Sequence, residues 1–128
     1  MNASKVMTAW PVELRLAKDR RTLSISFDDG NSFSLSAEIL RVLSPSAEVQ
    51  GHSEAERKTV GGKRNVSILS VDAVGNYAVR IGFDDMHNTG IYSWEFLHDL
   101  ALNQDARFQN YLDELAAKNL DRDKPGVR

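Results

Sequence analysis

Apolar residues alternate with polar ones from Val12 to Leu16, the period of a strand with one buried face. A hairpin follows. Leu23, Ile25 and Phe27 alternate with Thr22, Ser24 and Ser26, and beyond Asp28-Asp29-Gly30 the residues Phe33 and Leu35 alternate with Ser32, Ser34 and Ser36. A two-residue turn at Asp29-Gly30 would set Ile25 opposite Ser34 and split the two apolar sets between opposite faces of the sheet. A three-residue loop, Asp28-Asp29-Gly30, instead pairs Ile25 with Phe33 and Leu23 with Leu35 on one face. That loop is predicted, with Gly30 in the left-handed conformation that glycine adopts cheaply.

Good helix formers from Ala37, a Ser36 cap and the stop imposed by Pro45 predict a helix of about two turns. From Ser44 to Arg64 the chain is mixed in charge, carries Gly51, Gly61 and Gly62, and shows little periodicity. It is read as a long functional or mobile loop. Asn65 to Asp72 reads as a strand, and Val74-Gly75-Asn76 as a turn. Tyr77, Val79, Ile81 and Phe83 then alternate with Ala78, Arg80 and Gly82 as the partner strand. A polar loop, Asp84 to Gly90, leads through Ile91 and Tyr92 to Ser93, a cap for a helix starting at Trp94. After Asp105, the residues Phe108, Tyr111, Leu112 and Leu115 form one apolar stripe of a second helix.

The predicted class is α+β: a small antiparallel β-sheet built from hairpins, a short helix after the first hairpin, and two C-terminal helices. One domain is placed from about Trp10 to Leu120, with loose ends at residues 1–9 and 121–128.

Composition narrows the chemistry. Sixteen basic against 18 acidic side chains leave a formal charge of -2, so there is no global attraction to phosphate backbones. Arg57, Lys58, Lys63 and Arg64 form a basic segment without interleaved aromatics, which gives nucleic acid no support. The 128 residues contain no cysteine, removing thiolate nucleophiles, thiolate zinc sites and cysteine-held clusters. No apolar run is long enough to span a membrane, and the first residues lack a signal peptide's apolar stretch, so the expected location is cytoplasmic. Ser44-Pro45-Ser46 lacks the glycines of a nucleophile elbow, and Gly61-Gly62-Lys63 lacks the first glycine and the hydroxyl residue of a phosphate loop. The large aromatics Trp10, Tyr77, Tyr92 and Trp94 are read as core and edge packing.

Three histidines remain as candidates. His98, beside Asp99, is read as a solvated helix residue. His52-Ser53-Glu54 and Asp85-Met86-His87 each set a carboxylate and an imidazole two positions apart. Two histidines and a carboxylate are the ligand set of one iron class, so His52, Asp85 and His87 form a metal candidate if they converge.

The segments Leu40–His52 (LRVLSPSAEVQGH), Val74–Ile81 (VGNYAVRI) and Phe83–Trp94 (FDDMHNTGIYSW) together resemble the gamma-butyrobetaine hydroxylase-like N-terminal domain family. The likeness runs from about Trp10 to Leu120. In the hydroxylases this domain precedes the oxygenase domain that holds Fe(II) and 2-oxoglutarate, so the resemblance implies an accessory or binding module standing alone. It also implies a structural zinc held by three cysteines and a histidine. Ser44, Ser46 and Val49 fall where the resemblance puts the cysteines, and Asp85-Met86-His87 matches the histidine's region. The cysteine zinc site is therefore not retained on this reading. Other relatives form the C-terminal part of ATPases carrying iron–sulfur clusters, which raises an iron-linked role.

Two functions follow as expectations. The first is a non-catalytic binding or adaptor domain for a protein partner or small ligand. Its surface would be the two polar loops: Arg41 anchors an acidic group, Asp84, Asp85 and His87 orient the ligand, and Ser44, Ser46 and Trp94 complete the site. The alternative is a zinc- or iron-linked accessory protein for an oxygenase or iron–sulfur system, with metal on His52, Asp85 and His87.

Overall fold

The first hairpin closes in the register that its alternation demands. In the computed structural model, which describes residues 9–51 and 56–124, β2 (Thr22–Phe27) pairs antiparallel with β3 (Ser32–Ser36), setting Ile25 opposite Phe33 and Leu23 opposite Leu35. The loop is Asp28-Asp29-Gly30, and Gly30 has φ 90°, where a side chain would be strained. β1 (Pro11–Leu16) adds to the other edge of β2, giving the order β1-β2-β3.

The hairpin's final serine starts α1 (Ala37–Val42): the Ser36 hydroxyl accepts the Ile39 N–H at 3.0 Å. Beyond Pro45 the structure departs from the expected featureless loop. Ser46 caps a one-turn α2 (Ala47–Gln50), accepting from the Glu48 N–H at 3.1 Å, and Gly51 ends it at φ 66°. Four residues are too few to reveal a helical period.

The fold is α+β, as the hairpins and helices predicted, with its antiparallel strands arranged in two three-stranded sheets. The second comprises β4 (Ile68–Val74), β5 (Ala78–Phe83) and β6 (Gly90–Ser93), all antiparallel in the order β4-β5-β6. β6 escaped prediction because Gly90 and Ser93 leave only Ile91 and Tyr92 to carry a pattern. β4 begins at Ile68 rather than Asn65, since Ser67 is held by Asp84. Tyr77 sits in the turn before β5 and is 56% exposed, so the buried alternation starts at Val79. The sheets are joined at Arg20, whose carbonyl accepts the Ile68 N–H at 2.7 Å and whose guanidinium donates to the Ile68 and Leu69 carbonyls.

The core lies between the sheets and the helices. Leu23, Ile25 and Leu35 from the first sheet and Ile68, Ile81, Phe83 and Tyr92 from the second are fully or nearly fully buried. Ile39, Leu40 and Val42 of α1 pack into the same cluster. The expected C-terminal helices are α3 (Trp94–Leu102), capped by Ser93, and α4 (Gln104–Ala117). They contribute Leu97, Leu100, Tyr111 and Leu115 to the core. Each fully buried Leu or Ile is worth about 1.5–3 kcal/mol relative to exposure.

His98 does not simply face solvent. Its Nε2 lies 3.0 Å from Asp29 Oδ2, and its ring stands edge-on to Phe27 at 4.7 Å, because the hairpin loop folds over α3. The described part of the C-terminus, expected to be loose, is held against the domain. Asp121 and Arg122 carbonyls accept from Gly62 and Arg64, and the Arg122 guanidinium forks onto the buried Glu38 carboxylate at 2.7 and 2.5 Å. Residues 1–8 and 125–128 lie outside the described part of the chain.

Candidate functional site

Two loops meet at the C-terminal end of α1. One runs from Arg41 through Ser44 and Ser46 into α2. The other, from β5 to β6, opens with a three-residue turn like the first hairpin's: the Phe83 N–H donates to the His87 carbonyl and the Met86 N–H to that of Phe83. Here Met86 takes the left-handed position at φ 76°, its side chain exposed. This turn aims Asp85 and His87 inward at the first loop.

Asp85 is the electrostatic centre. Its Oδ2 sits 2.7 Å from Arg41 Nε and 2.6 Å from Lys63 Nζ, and its Oδ1 accepts the His87 N–H at 3.1 Å. Burial alone would raise the carboxyl, but the Lys63 ammonium, the His87 N–H and the Arg41 guanidinium outweigh it and hold Asp85 at about 2. Arg41 Nη1 is buried with no hydrogen-bond partner among the described residues.

His87 is buried, with both ring nitrogens engaged: Nδ1 lies 3.0 Å from Glu48 Oε1, and Nε2 lies 2.9 Å from Ser44 Oγ. Burial, then the Arg41 charge, lowers the ring below its ordinary value against the pull of Glu48 and Asp85, so the neutral form is favoured. A carboxylate only accepts, so the proton belongs on Nδ1, and Nε2 accepts the Ser44 hydroxyl. Ser44 Oγ in turn accepts the Ser46 N–H at 3.2 Å, and Ser46 Oγ pairs with Thr89 Oγ1 at 2.7 Å. Beneath them the fully buried Tyr92 hydroxyl donates to the Leu40 carbonyl at 2.5 Å, and burial raises that phenol. Gly90 has no room for a side chain, since a Cβ there would stand 2.6 Å from Ser44 Oγ.

Glu48, His87 and Ser44 stand in the acid–imidazole–hydroxyl order of a nucleophilic relay. Ser44, however, has 0% exposure, so a substrate carbonyl has no approach to its hydroxyl in this conformation. The relay ties the two loops together.

Outside this buttress lies a cleft of about 230 Å³ lined by Lys63, Asn65, Asp84, Asp85, Arg122 and Asp123, among others. Its charges come from three separate segments. Asp84 is fixed by the Ser67 N–H and hydroxyl at 3.1 and 2.9 Å. The Glu38 fork orients Arg122, and Arg64 holds Asp123.

Arg41, Ser44, Ser46, Asp85 and His87, singled out in the sequence, are thus brought together. The acidic group that Arg41 holds belongs to this chain. Trp94 stands apart, bonded through Nε1 to the Asn76 carbonyl and lining a different cavity with Trp10 and Tyr77. His52 lies outside the described residues, as does Glu54. Among the described residues no three metal-ligating side chains converge. Glu48, Lys63, Thr89 and Arg122 had no local signal: each finds its partner at least 22 positions away in sequence.

Comparison with known families now bears on identity. The family model described as gamma-butyrobetaine hydroxylase-like, N-terminal, matches residues 14–98. The chain belongs to that family. A protein solved in solution by NMR is similar to this gamma-butyrobetaine hydroxylase-like domain at 48% identity, TM-score 0.77, over 94% of this chain and 89% of the other. A second solution structure is 38% identical, TM-score 0.80, over 94% and 95% of the respective chains. A crystal structure of a protein of unknown function from Acidithiobacillus ferrooxidans, described as a DUF971 family member, is 38% identical. It has TM-score 0.60 over 71% of this chain and 91% of that one. No curated protein matches.

The zinc that the family resemblance implies does not fit the residues of this member. Ser44 Oγ and His87 Nε2 are bonded to each other, Ser46 is spent on Thr89 and its cap, and Val49 presents buried hydrocarbon. One imidazole nitrogen, two hydroxyls and an isopropyl group are not a zinc donor set.

Proposed function

We propose that this domain is a non-catalytic binding module whose working surface is the charged cleft above Asp84 and Asp85. The observation carrying this reading is the division of labour at the site. Beneath the cleft, His87, Ser44, Arg41 and Asp85 are engaged with one another, leaving none poised as a nucleophile or general base. At its rim, lysine, arginine and aspartate side chains of both signs are held in place by ion pairs and serine hydrogen bonds. Such a surface suits a polar segment of a protein partner, or a small ligand, that offers both charges; complementary charge supplies specificity and encounter rate.

The test is an amide-resolved NMR titration of the isotopically labelled protein with the low-mass and the protein fractions of a cell extract. The reading predicts saturable shifts clustered at Gly62, Lys63, Asn65, Asp84 and Asp123. Shifts that saturate elsewhere while these five stay fixed overturn the surface assignment. Turnover of any component by the purified protein overturns the non-catalytic part.

A further inference from the structure

Beyond α4, residues 121–124 run back along the domain as a strap. Asn119 turns the chain at φ 57°, and the Leu120 N–H donates to the Leu115 carbonyl at 2.8 Å. The strap itself adds no buried side chain to the core: Asp121, Asp123 and Lys124 are exposed and Arg122 is half-buried. What holds it is polar. The Gly62 N–H donates to the Asp121 carbonyl and the Arg64 N–H to the Arg122 carbonyl, each at 2.9 Å.

The strap carries its own shape, since Asp121 Oδ1 accepts the Asp123 and Lys124 N–H groups at 2.8 Å each. Arg122 occupies a pocket suited to a guanidinium: its fork meets the buried Glu38 carboxylate, and its Cζ stands over the Phe108 ring, 5.2 Å from the centroid. A two-oxygen acceptor combined with a π face favours arginine over lysine. Asp123 pairs with Arg64 Nε and Nη2 at 2.5 and 3.1 Å. The floor matches the strap closely, because a Cβ at Gly61 would stand 2.9 Å from the Asp121 carbonyl oxygen.

Main-chain bonds along an extended segment, with one side-chain pocket to select it, are how a groove holds a peptide. A terminal segment held this way can leave without opening the core. Its departure strips Glu38, 5% exposed, of the one cation that pairs with it among the described residues, so the vacated groove calls for another arginine. The strap also walls the charged cleft, whose lining includes Gly62, Arg122 and Asp123.

We propose that this groove docks an extended Asp-Arg-Asp segment of a protein partner, and that the chain's own residues 121–123 fill it in the partner's absence. The partner's arginine takes the Glu38–Phe108 pocket, its second acidic residue takes Arg64, and the displaced strap opens one wall of the cleft. On the reading of the cleft as the working surface, on which this proposal rests, the partner's chemistry is thereby an arginine between two acidic residues.

The probe is the acetylated, amidated hexapeptide Asn-Leu-Asp-Arg-Asp-Lys, titrated into the isotopically labelled full-length protein. In Arg122→Ala, whose own strap has lost its anchor, the expected result is saturable amide shifts at Glu38, Gly62, Arg64 and Phe108. Wild type needs at least about tenfold more peptide, because its own strap competes at an effective concentration on the order of millimolar. Arg122→Lys, which keeps a cation beside Glu38 and so protects the fold, binds between the two. A lysine in place of the peptide's arginine weakens binding by about fivefold or more. In wild type, the Gly62 and Arg64 amides exchange with solvent at least about a hundredfold faster than the slowest amides of β5. No saturation in either variant below about 10 mM peptide, equal binding of the arginine and lysine peptides, equal binding by wild type and Arg122→Ala, or exchange at Gly62 and Arg64 as slow as in β5 would each overturn the proposal. Dimerisation of the wild type with rising concentration, shifting these same amides, would give the groove to a second copy's strap and overturn the separate partner. Failure of the peptide while extract shifts persist at Lys63 and Asp84 overturns this proposal alone. Peptide docking without those extract shifts supports the groove and overturns the reading of the cleft.

Discussion

Replacing Asp85 by asparagine removes one negative charge from between two cations and one of its two acceptor oxygens. The amide is the same size, but its single oxygen can accept either from the His87 N–H or from Arg41 Nε and Lys63 Nζ, and its NH2 group then faces the remaining donor. An ordinary aspartate carboxyl ionises near 3.8, and Asp85 at about 2; at about 1.4 kcal/mol per tenfold in proton affinity, its ionised form adds about 2 kcal/mol to folding. The side chain is 18% exposed, so solvent screening trims this figure only modestly. The sign is fixed by the direction of the shift. A carboxyl depressed in the folded state stabilises fully above 3.8 and loses that contribution as pH falls through about 2. Asp85→Asn is therefore expected to lower stability by about 2 kcal/mol at pH 7, or somewhat more because Arg41 and Lys63 remain partly buried without a counter-charge. Near pH 2 the gap between variant and wild type narrows markedly, because half or more of the wild-type carboxyl is then protonated. Urea unfolding of both proteins at pH 7, 4 and 2.5 measures it. A gap that stays constant with pH, or one below about 0.5 kcal/mol at pH 7, would refute the view of Asp85 as the charge that joins the two loops.

Three further outcomes follow from the same geometry. Gly90→Ala forces a methyl to within 2.6 Å of Ser44 Oγ and 2.9 Å of the Tyr92 ring, and is expected to cost about 1–3 kcal/mol in thermal unfolding; an unchanged midpoint contradicts the close packing. The His87 ring, lowered by burial, is expected to titrate below 6.5 in a pH series of its carbon-bound proton shifts. The stability tied to it is complete above pH 6.5 and is lost as pH falls through that lowered value, so titration at or above 6.5 contradicts the arrangement. Arg122→Ala strands the buried Glu38 carboxylate and is expected to cost about 2 kcal/mol, with faster hydrogen exchange at the Gly62 and Arg64 amides that the tail carbonyls hold; unchanged exchange there argues against docking of residues 121–124.

The elements that could be read from the residues were those whose buried face is continuous. Ile25 and Phe33 dictated both a hairpin register and a three-residue loop, and serines 36 and 93 marked helix starts because a hydroxyl just before a run of helix formers has one good use. Elements of four residues, α2 and β6, carry too few positions to display a period. The division into two sheets was hidden because it depends on Arg20, a polar residue whose role appears only once Ile68 lies beside it. At the site, the sequence marked Arg41, Ser44, Ser46, Asp85 and His87 by residue type and by family resemblance. What those residues do was not legible, because their partners are remote. Lys63 reaches Asp85 across 22 positions, Glu48 reaches His87 across 39, and Arg122 reaches Glu38 across 84. The aromatics at 10, 77 and 94 were read as core and edge packing: Trp94 does pack against the core, while Trp10 and Tyr77 are exposed at the edge, and all three line one cavity.

The claim that matters most is that the charged cleft, rather than the buttress beneath it, is the working surface. The direct measurement compares amide-shift maps for the wild type and for Asn65→Arg, which sets a bulky cation in the cleft mouth at an exposed position, each titrated with the same extract fraction. The account predicts that the variant keeps the wild-type spectrum at Ser44, His87 and Tyr92 and loses the shifts at Lys63, Asp84 and Asp123. Binding shifts that persist undiminished in Asn65→Arg would contradict it.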